Sequence, residues 1–340
     1  MGTEPISGVD GVSRRRVLLG VAGSSVMGLS GCITRGEDSG LEGEIVVDGS
    51  NTLRPNTALV AEQFMWQNNQ VEIPVRPAGT GAGFQQFCRG ETDLQNASRE
   101  IADDEAEMCE ENGVDWFRLD VVRDGIAIMK HEDNDWCDCL TTEQLGLLWE
   151  RGSEIETWRD LVVESDEDDW SDDIDVPDES DWPDEPISLY GRDSASGTFD
   201  YFTEEITGNV GNIRNDYSGT PDTNAIIRGV RDNRHAIGFG GAGYYYENED
   251  DLELIEVDDG DGCEKPEPET IREGTYSPLS RPMYLYVRER SLEREEVRAF
   301  LRFYLDNTQA ASLDVGFFEV EDETIEEQHE RLDELYEDYE

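Results

Sequence analysis

Acidic residues outnumber basic ones three to one in this chain: 81 Asp and Glu stand against 27 Lys and Arg, a formal net charge of −54. Like charge at that density opposes any compact state in dilute buffer. At about 1 M salt the Debye length shrinks to roughly 3 Å, and the repulsion is largely screened. Only two of the basic residues are lysines, Lys130 and Lys265. A carboxylate-covered, lysine-poor surface stays hydrated where free water is scarce, so the chain reads as a folded protein from an extreme halophile. The other fate of such a sequence is acidic disorder. Against it stand 11 Phe, 7 Trp and 12 Tyr, with long apolar-patterned segments throughout. The same charge argues against nucleic acid as a partner, because a phosphate backbone is bound by cations.

The 340 residues suffice for one large or two medium domains with a substantial core. At the N-terminus, Ser13-Arg14-Arg15-Arg16-Val17-Leu18-Leu19 sets paired arginines directly before an apolar run, the pattern of a twin-arginine export signal. The run ends in Leu29-Ser30-Gly31-Cys32, which resembles a lipobox with Cys32 as the lipidated residue. It is short of the ~20 residues a transmembrane helix needs. Twin-arginine export carries folded proteins, which suits a chain that must fold in a salty cytoplasm. A simple membrane anchor is the alternative, and it too leaves the bulk of the chain outside the cell. Residues 1–32 are therefore assigned as signal and 33–43 as a polar tether.

Five cysteines remain: Cys88, Cys109, Cys137, Cys139 and Cys263. Outside the membrane disulfides persist, and five leaves at least one unpaired. A Cys88–Cys109 bridge is expected, with a second from Cys263 to Cys137 or Cys139. Zinc is not expected, because it favours paired spacings with nearby histidines and the chain has only three His.

From Glu44 the pattern is strand, polar glycine turn, helix, repeated: an α/β rhythm. Strands are predicted at 44–48, 71–77, 125–129, 187–190, 236–239 and 282–287. Helices are predicted at 55–67, 84–89, 142–149, 197–207 and 224–232. The stretch 164–185 is an acidic surface loop carrying Trp170, Ile174, Val176 and Trp182. The last 20 residues form an acidic amphipathic helix packed on the body.

Three places share one design, in which a strand ends, Ser, Thr and Gly follow, and a helix begins. They are Gly49-Ser50-Asn51-Thr52-Leu53, Gly79-Thr80-Gly81-Ala82-Gly83 and Ser194-Ala195-Ser196-Gly197-Thr198. A helix N-terminus offers unpaired N–H groups and about half a positive charge, hydroxyls add donors, and glycine admits close approach. Such turns bind anions, although singly they cap helices everywhere. Arg192 lies four residues before Ser196, and Arg99 follows Ala97-Ser98. The other use of Arg192 is an ion pair with Asp193 or Asp200.

These segments, in this order, resemble the phosphate-binding protein of ABC-type phosphate importers over residues 44–320. The likeness extends through Phe87–Asp93, Asn96-Ala97-Ser98-Arg99, Asp124–Ala127, Asp200-Tyr201-Phe202, Ala236–Phe239 and Pro278-Leu279-Ser280-Arg281-Pro282. The resemblance implies a type II periplasmic-binding-protein-like α/β fold: two lobes and a hinge of two crossovers, near Val121–Ile126 and Ser277–Met283. One lobe would take residues 44–123 plus 281–340, the other 124–280. It implies phosphate contacts from Thr52, the Leu53 amide, Thr80, Ser98, Arg99, Arg192, Ser196, the Gly197 amide and Thr198. It further implies a haloarchaeal-type lipoprotein acting as a single copy, which hands inorganic phosphate to permease subunits without a cofactor. Some relatives carry an Asp where Arg99 stands, as acceptor for the proton of hydrogen phosphate. Asp124 and Asp93 are both left as candidates for that role. The other readings are a receptor for sulfate, molybdate or tungstate, a purely structural surface protein, or an exported hydrolase around Ser196. The hydrolase lacks a Gly-x-Ser-x-Gly elbow, and His131, His235 and His329 sit in no catalytic pattern.

Overall fold

The computed structural model describes residues 40–165, 170–171, 178–246 and 252–339. The arginine motif, the lipobox with Cys32, most of the tether, and Ile174 and Val176 lie outside the described residues. No helix among the described residues is long and apolar enough to cross a membrane.

The first third alternates β1 (Gly43–Glu44), β2 (Val47–Gly49), α1 (Arg54–Gln67), β3 (Val71–Glu72), α2 (Thr80–Phe87), β4 (Leu94–Ala97) and α3 (Asp103–Glu111). Strand β5 (Trp116–His131) then leads to β6 (Cys139–Thr141), α4 (Thr142–Trp149), α5 (Trp158–Glu164), β7 (Ser188–Arg192) and α6 (Gly197–Thr207). Next come β8 (Ser218–Thr220), α7 (Thr223–Arg231), β9 (Ala236–Gly241), α8 (Ala242–Tyr246), β10 (Leu252–Asp258), β11 (Cys263–Glu264) and α9 (Pro268–Glu273). The chain closes with β12 (Ser280–Arg288), α10 (Glu295–Asp314) and α11 (Asp322–Tyr336). The architecture is mixed α/β, as the rhythm predicts.

One continuous sheet is organised by β5, whose 16 residues exceed any strand expected from the sequence. Its first half pairs antiparallel with the whole of β12, from Trp116 opposite Arg288 to Gly125 opposite Ser280. Beyond β12 the sheet continues through β4 and β2; beyond the second half of β5 it continues through β9, β7 and β8. Two cores follow from this. Val122 of β5 and Met283 of β12 pack with Phe64, Leu285 and Phe300, while Ile126 and Leu279 pack with Trp149, Phe202 and Phe239. The change of core thus falls on adjacent strands, with Asp124 and Arg281 in register between the two.

Two local departures have plain causes. The strand expected over 71–77 shrinks to Val71–Glu72 with one isolated bridge from Val75 to Val47, because Pro74 and Pro77 have no N–H to give a ladder. The glycine-rich segment expected to be a turn is already helical from Thr80, and only Gly79, at φ +87°, makes the turn. Gly83 is inside α2 because a Cβ there would stand 2.6 Å from the Cα of Gly49. The helix therefore lies directly on β2.

Cys88 is bonded to Cys109 and Cys139 to Cys263, which settles the second bridge in favour of Cys139. Cys137 is free and fully enclosed, and burial pushes its thiol well above the usual range. Iodoacetamide is therefore expected to leave Cys137 unmodified in the native protein and to label it after denaturation without reductant. Peptide mapping reads this directly, and equal labelling of both states would refute the burial.

Candidate functional site

A cleft of about 610 Å³ opens where the two cores meet. Each of the three Ser/Thr/Gly turns reaches it, and each is fixed by local chemistry. After β2, the buried Asp48 carboxylate accepts the amides of Gly49 and Ala78 at 2.8 and 3.0 Å. Ser50 N–H donates to Asn96 C=O at 2.8 Å, so the turn leaves Asn51 and Thr52 facing the cleft. At the start of α2 the Thr80 and Ser98 hydroxyls lie 2.9 Å apart, tying the second turn to the end of β4. The third turn opens α6, where Ser196 caps the helix by accepting Thr198 N–H at 3.2 Å.

Helix α6 is held by its apolar face. Phe199, Phe202 and Ile206 are buried, and Phe202 stacks on Phe239 with centroids 3.9 Å apart and planes 8° apart. Burying such a ring contributes about 1.5–3 kcal/mol, ample to anchor 11 residues. The anchored helix aims its N-terminus at the first turn. Contact is so close that a Cβ on Gly197 would fall 1.7 Å from Thr52 Oγ1.

Of the expected residues, Thr52, Thr80, Ser98, Arg99 and Gly197 line the cleft. Leu53 is buried and its amide donates to Ser50 Oγ at 3.3 Å, a long bond within the turn. Ser196 and Thr198 flank Gly197 at the helix start. Arg99 is engaged elsewhere: both its Nη atoms reach Glu105, at 2.8 and 2.9 Å, which neutralises its charge. Arg192, at the end of β7, donates to Thr223 Oγ1 at 2.6 Å. Neither Asp193 nor Asp200 forms an ion pair with it among the described residues. Its Nε–H is buried without a protein partner.

The two candidate acceptors lie in different surroundings. Asp93 is remote from the cleft, ion-paired to Arg288 and Arg294. Burial raises its carboxyl, but the Val46 amide, Arg294 and Ser291 outweigh this and hold it below the usual range. Asp124 backs the cleft and is enclosed; burial pushes its carboxyl up, and Arg281 and Arg192 pull the other way.

Arg281 is the site residue that motif reading did not single out. It lines the cleft and lies over the Tyr201 ring, 3.6 Å from its centre. Its Nε–H and the neighbouring Ser280 hydroxyl also lack protein partners. Buried donors are rarely left unmatched; two of these belong to residues that line the cleft, Ser280 and Arg281, whereas Arg192 is not among its lining residues. The available signal was an arginine set before proline in an apolar strand, in a chain poor in cations. At the rim stand Glu100, Asp200, Glu204 and Glu205. Burial raises the Asp200 and Glu205 carboxyls, partly offset by Arg281. The arrangement is a set of hydroxyl, amide and guanidinium donors beside four carboxylates, suited to holding an anion. Among the described residues no histidine lines it, and the Ser196 oxygen accepts the Thr198 amide while its O–H stays available to donate.

Residues 35–308 match the family described as the PBP superfamily domain. The chain is 34% identical over 301 residues to the protein SphX of a Synechocystis species, covering 88% of this chain and 83% of that one. It is 33% identical to the phosphate-binding protein PstS of Staphylococcus saprophyticus, covering 88% and 87%. Among solved structures it is similar to a possible phosphate binding protein from Planctomyces limnophilus. That match has a TM-score of 0.78 at 34% identity, over 87% of this chain and 99% of that one.

Proposed function

The chain belongs to the PBP superfamily, and within it to the PstS-type phosphate-binding proteins; on that premise we propose that it captures inorganic phosphate outside the cell and delivers it to the permease of an ABC importer. The observation that carries the reading is the convergence of three Ser/Thr/Gly turns with Arg99 and Arg281 on one cleft. Thr52, Thr80, Ser98, Ser196 and Thr198 supply hydroxyl donors, and the Leu53 and Gly197 amides add to them. Arg192 makes charge-assisted contacts. Arg99, held by Glu105, shapes the wall more than it adds charge.

Residues 44–123 with 281–340 act as one lobe and 124–280 as the other, flexing where β5 and β12 change cores. The open form admits phosphate, closure completes the donor set, and the difference in affinity between the two states drives the movement. No chemistry is performed on the ligand and no cofactor takes part. The N-terminal pattern supports twin-arginine export and lipidation at Cys32, holding a single-copy receptor on the outer face of a halophile's membrane. At molar salt the acidic rim repels an incoming anion only at short range, and the fixed donors decide.

Calorimetric titration of the chain from Gly40 onward tests this, in about 3 M KCl to screen the surface. Tight one-to-one binding of phosphate with no response to sulfate is expected. Binding of sulfate or molybdate in its place would overturn the ligand, and silence toward every tetrahedral oxyanion would overturn the function.

A further inference from the structure

Of the seven tryptophans, all among the described residues, six are buried or half-buried and Trp66 is 86% exposed. It sits at the end of α1, on the side opposite Phe64, which packs edge-on against Phe300 and Phe303 of α10. Its exposed neighbours Gln63, Gln67, Asn69 and Gln70 are uncharged, and no charged residue occurs between Glu62 and Glu72. In a chain that is 32% charged, this end of α1 is a neutral island around one large aromatic ring. An isolated exposed apolar residue is ordinary. The missing carboxylates are not, because they are what keeps the rest of the surface hydrated. Strand β1 leads to the same place. It pairs parallel with β3, Gly43 opposite Val71, and Gly43 N–H donates to Gln70 C=O at 3.2 Å. Followed back from Gly43, the chain therefore runs toward the turn that ends α1. Gln70 is four residues beyond Trp66, at most ~14 Å along the backbone. Gly40 in turn follows Cys32 by eight positions, a reach of at most ~29 Å.

We propose that this end of α1 docks on the lipid interface of the membrane that holds the chain, with Trp66 seated at headgroup level among its uncharged neighbours. The occupant is a lipid surface because the chain leaves the body beside Trp66, toward a cysteine set for lipidation; the inference rests on that anchor reading. A single lipid chain holds a protein only marginally, and stable attachment takes a second signal. Basic clusters are the usual one, but molar salt screens them within ~3 Å. An aromatic ring keeps its driving force there, and Trp favours the boundary between hydrocarbon and water. Carboxylates at this spot would be pressed against lipid headgroups, which accounts for their absence. The consequence for transport is orientation. Helix α1 starts at Arg54, directly after the first turn of the cleft, and its 14 residues rise ~21 Å. Docking by the far end holds that turn up to ~21 Å above the membrane and leaves α6 and its core free to move.

The test uses the chain from Cys32 onward, which contains the whole compact unit to which the described residues belong, with one myristoyl-length chain attached at the Cys32 thiol. Cys88, Cys109, Cys139 and Cys263 are bonded and Cys137 is enclosed, so Cys32 alone reacts. Parent and Trp66→Gln are sedimented with phosphatidylglycerol vesicles in about 3 M KCl. The parent is expected to partition roughly 10-fold more strongly, as for one large side chain taken from water. Vesicles with brominated acyl chains should quench part of the parent's tryptophan emission, and that part should be missing from Trp66→Gln. Melting and phosphate binding should be the same in both, since Trp66 is exposed and is not among the residues lining the cleft. Equal partition of the two chains, or no bromine quenching in the parent, would overturn the inference. Shielding of Trp66 in host membranes but not in pure lipid would also overturn it, by making the partner a protein. Unmodified Cys32 in chain isolated from the host would instead remove the anchor reading, whereas equal partition with Cys32 lipidated in the host would remove the docking alone.

Discussion

An Arg192→Met protein is expected to fold normally and to bind phosphate some 100-fold more weakly or worse. Hydrogen bonds to a charged group are worth about 1.5–3 kcal/mol each, and 1.4 kcal/mol is a factor of ten. Arg192 has a free, buried Nε–H and can present a fork to two phosphate oxygens. The loss also changes the sign of the site. With Arg192 gone, Arg281 and Asp124 cancel each other, and Arg99 is already matched by Glu105. What remains is neutral hydroxyls and the α6 N-terminus against a dianion. Stability should fall only modestly: among the described residues the arginine side chain donates one hydrogen bond, to Thr223, and its charge also offsets the buried Asp124 carboxylate. Calorimetry with melting curves checks both halves. An unchanged affinity would mean that Arg192 serves Thr223 and not the ligand. Arg192→Lys separates the two: it keeps the charge but loses the fork, so partial recovery is expected.

The helices most legible in the sequence are those whose ends announce themselves. Helix α4 begins where Thr141 and Gln144 form a reciprocal capping box, and α6 runs from the Ser196 cap to Gly208 in the left-handed region. These signals are local, so no tertiary knowledge is needed. The long strands were legible only in part for the opposite reason. Residues 116–121 of β5 alternate between half-buried and buried positions, whereas Asp124–Lys130 are all buried. One strand therefore shows two patterns, and each alone suggests a shorter element. The site divides in the same way. Its three turns are written in consecutive residues, Ser/Thr next to Gly before a helix. Arg281 and Asp124 are 157 positions apart and meet only through the register of β5 and β12. The neutralisation of Arg99 also needed structure, because Glu105 reads locally as an ordinary first-turn acid of α3.

The dependence of binding on the approach of α6 to the first turn leads to the second large effect, at Gly197. A methyl group there would lie 1.7 Å from Thr52 Oγ1 and 2.8 Å from Thr52 Cβ, far inside contact. The helix cannot absorb this by shifting alone, since Phe199 and Phe202 lock it into its own core. Gly197→Ala should therefore hold the cleft partly open, with the helix amides and Arg192 too distant to act together with Thr52. Overpacking costs about 1–3 kcal/mol, and the donors withdrawn from the anion add to that, so a loss on the order of 100-fold is expected. In the proposed open form the lobes part at this contact, so the melting temperature without ligand should stay put. Small-angle scattering should show phosphate shrinking the parent protein and leaving the variant unchanged. If Gly197→Ala binds phosphate as tightly as the parent and still compacts, the N-terminus of α6 is not what closes on the ligand. The Thr52–Gly197 contact would then be packing without function.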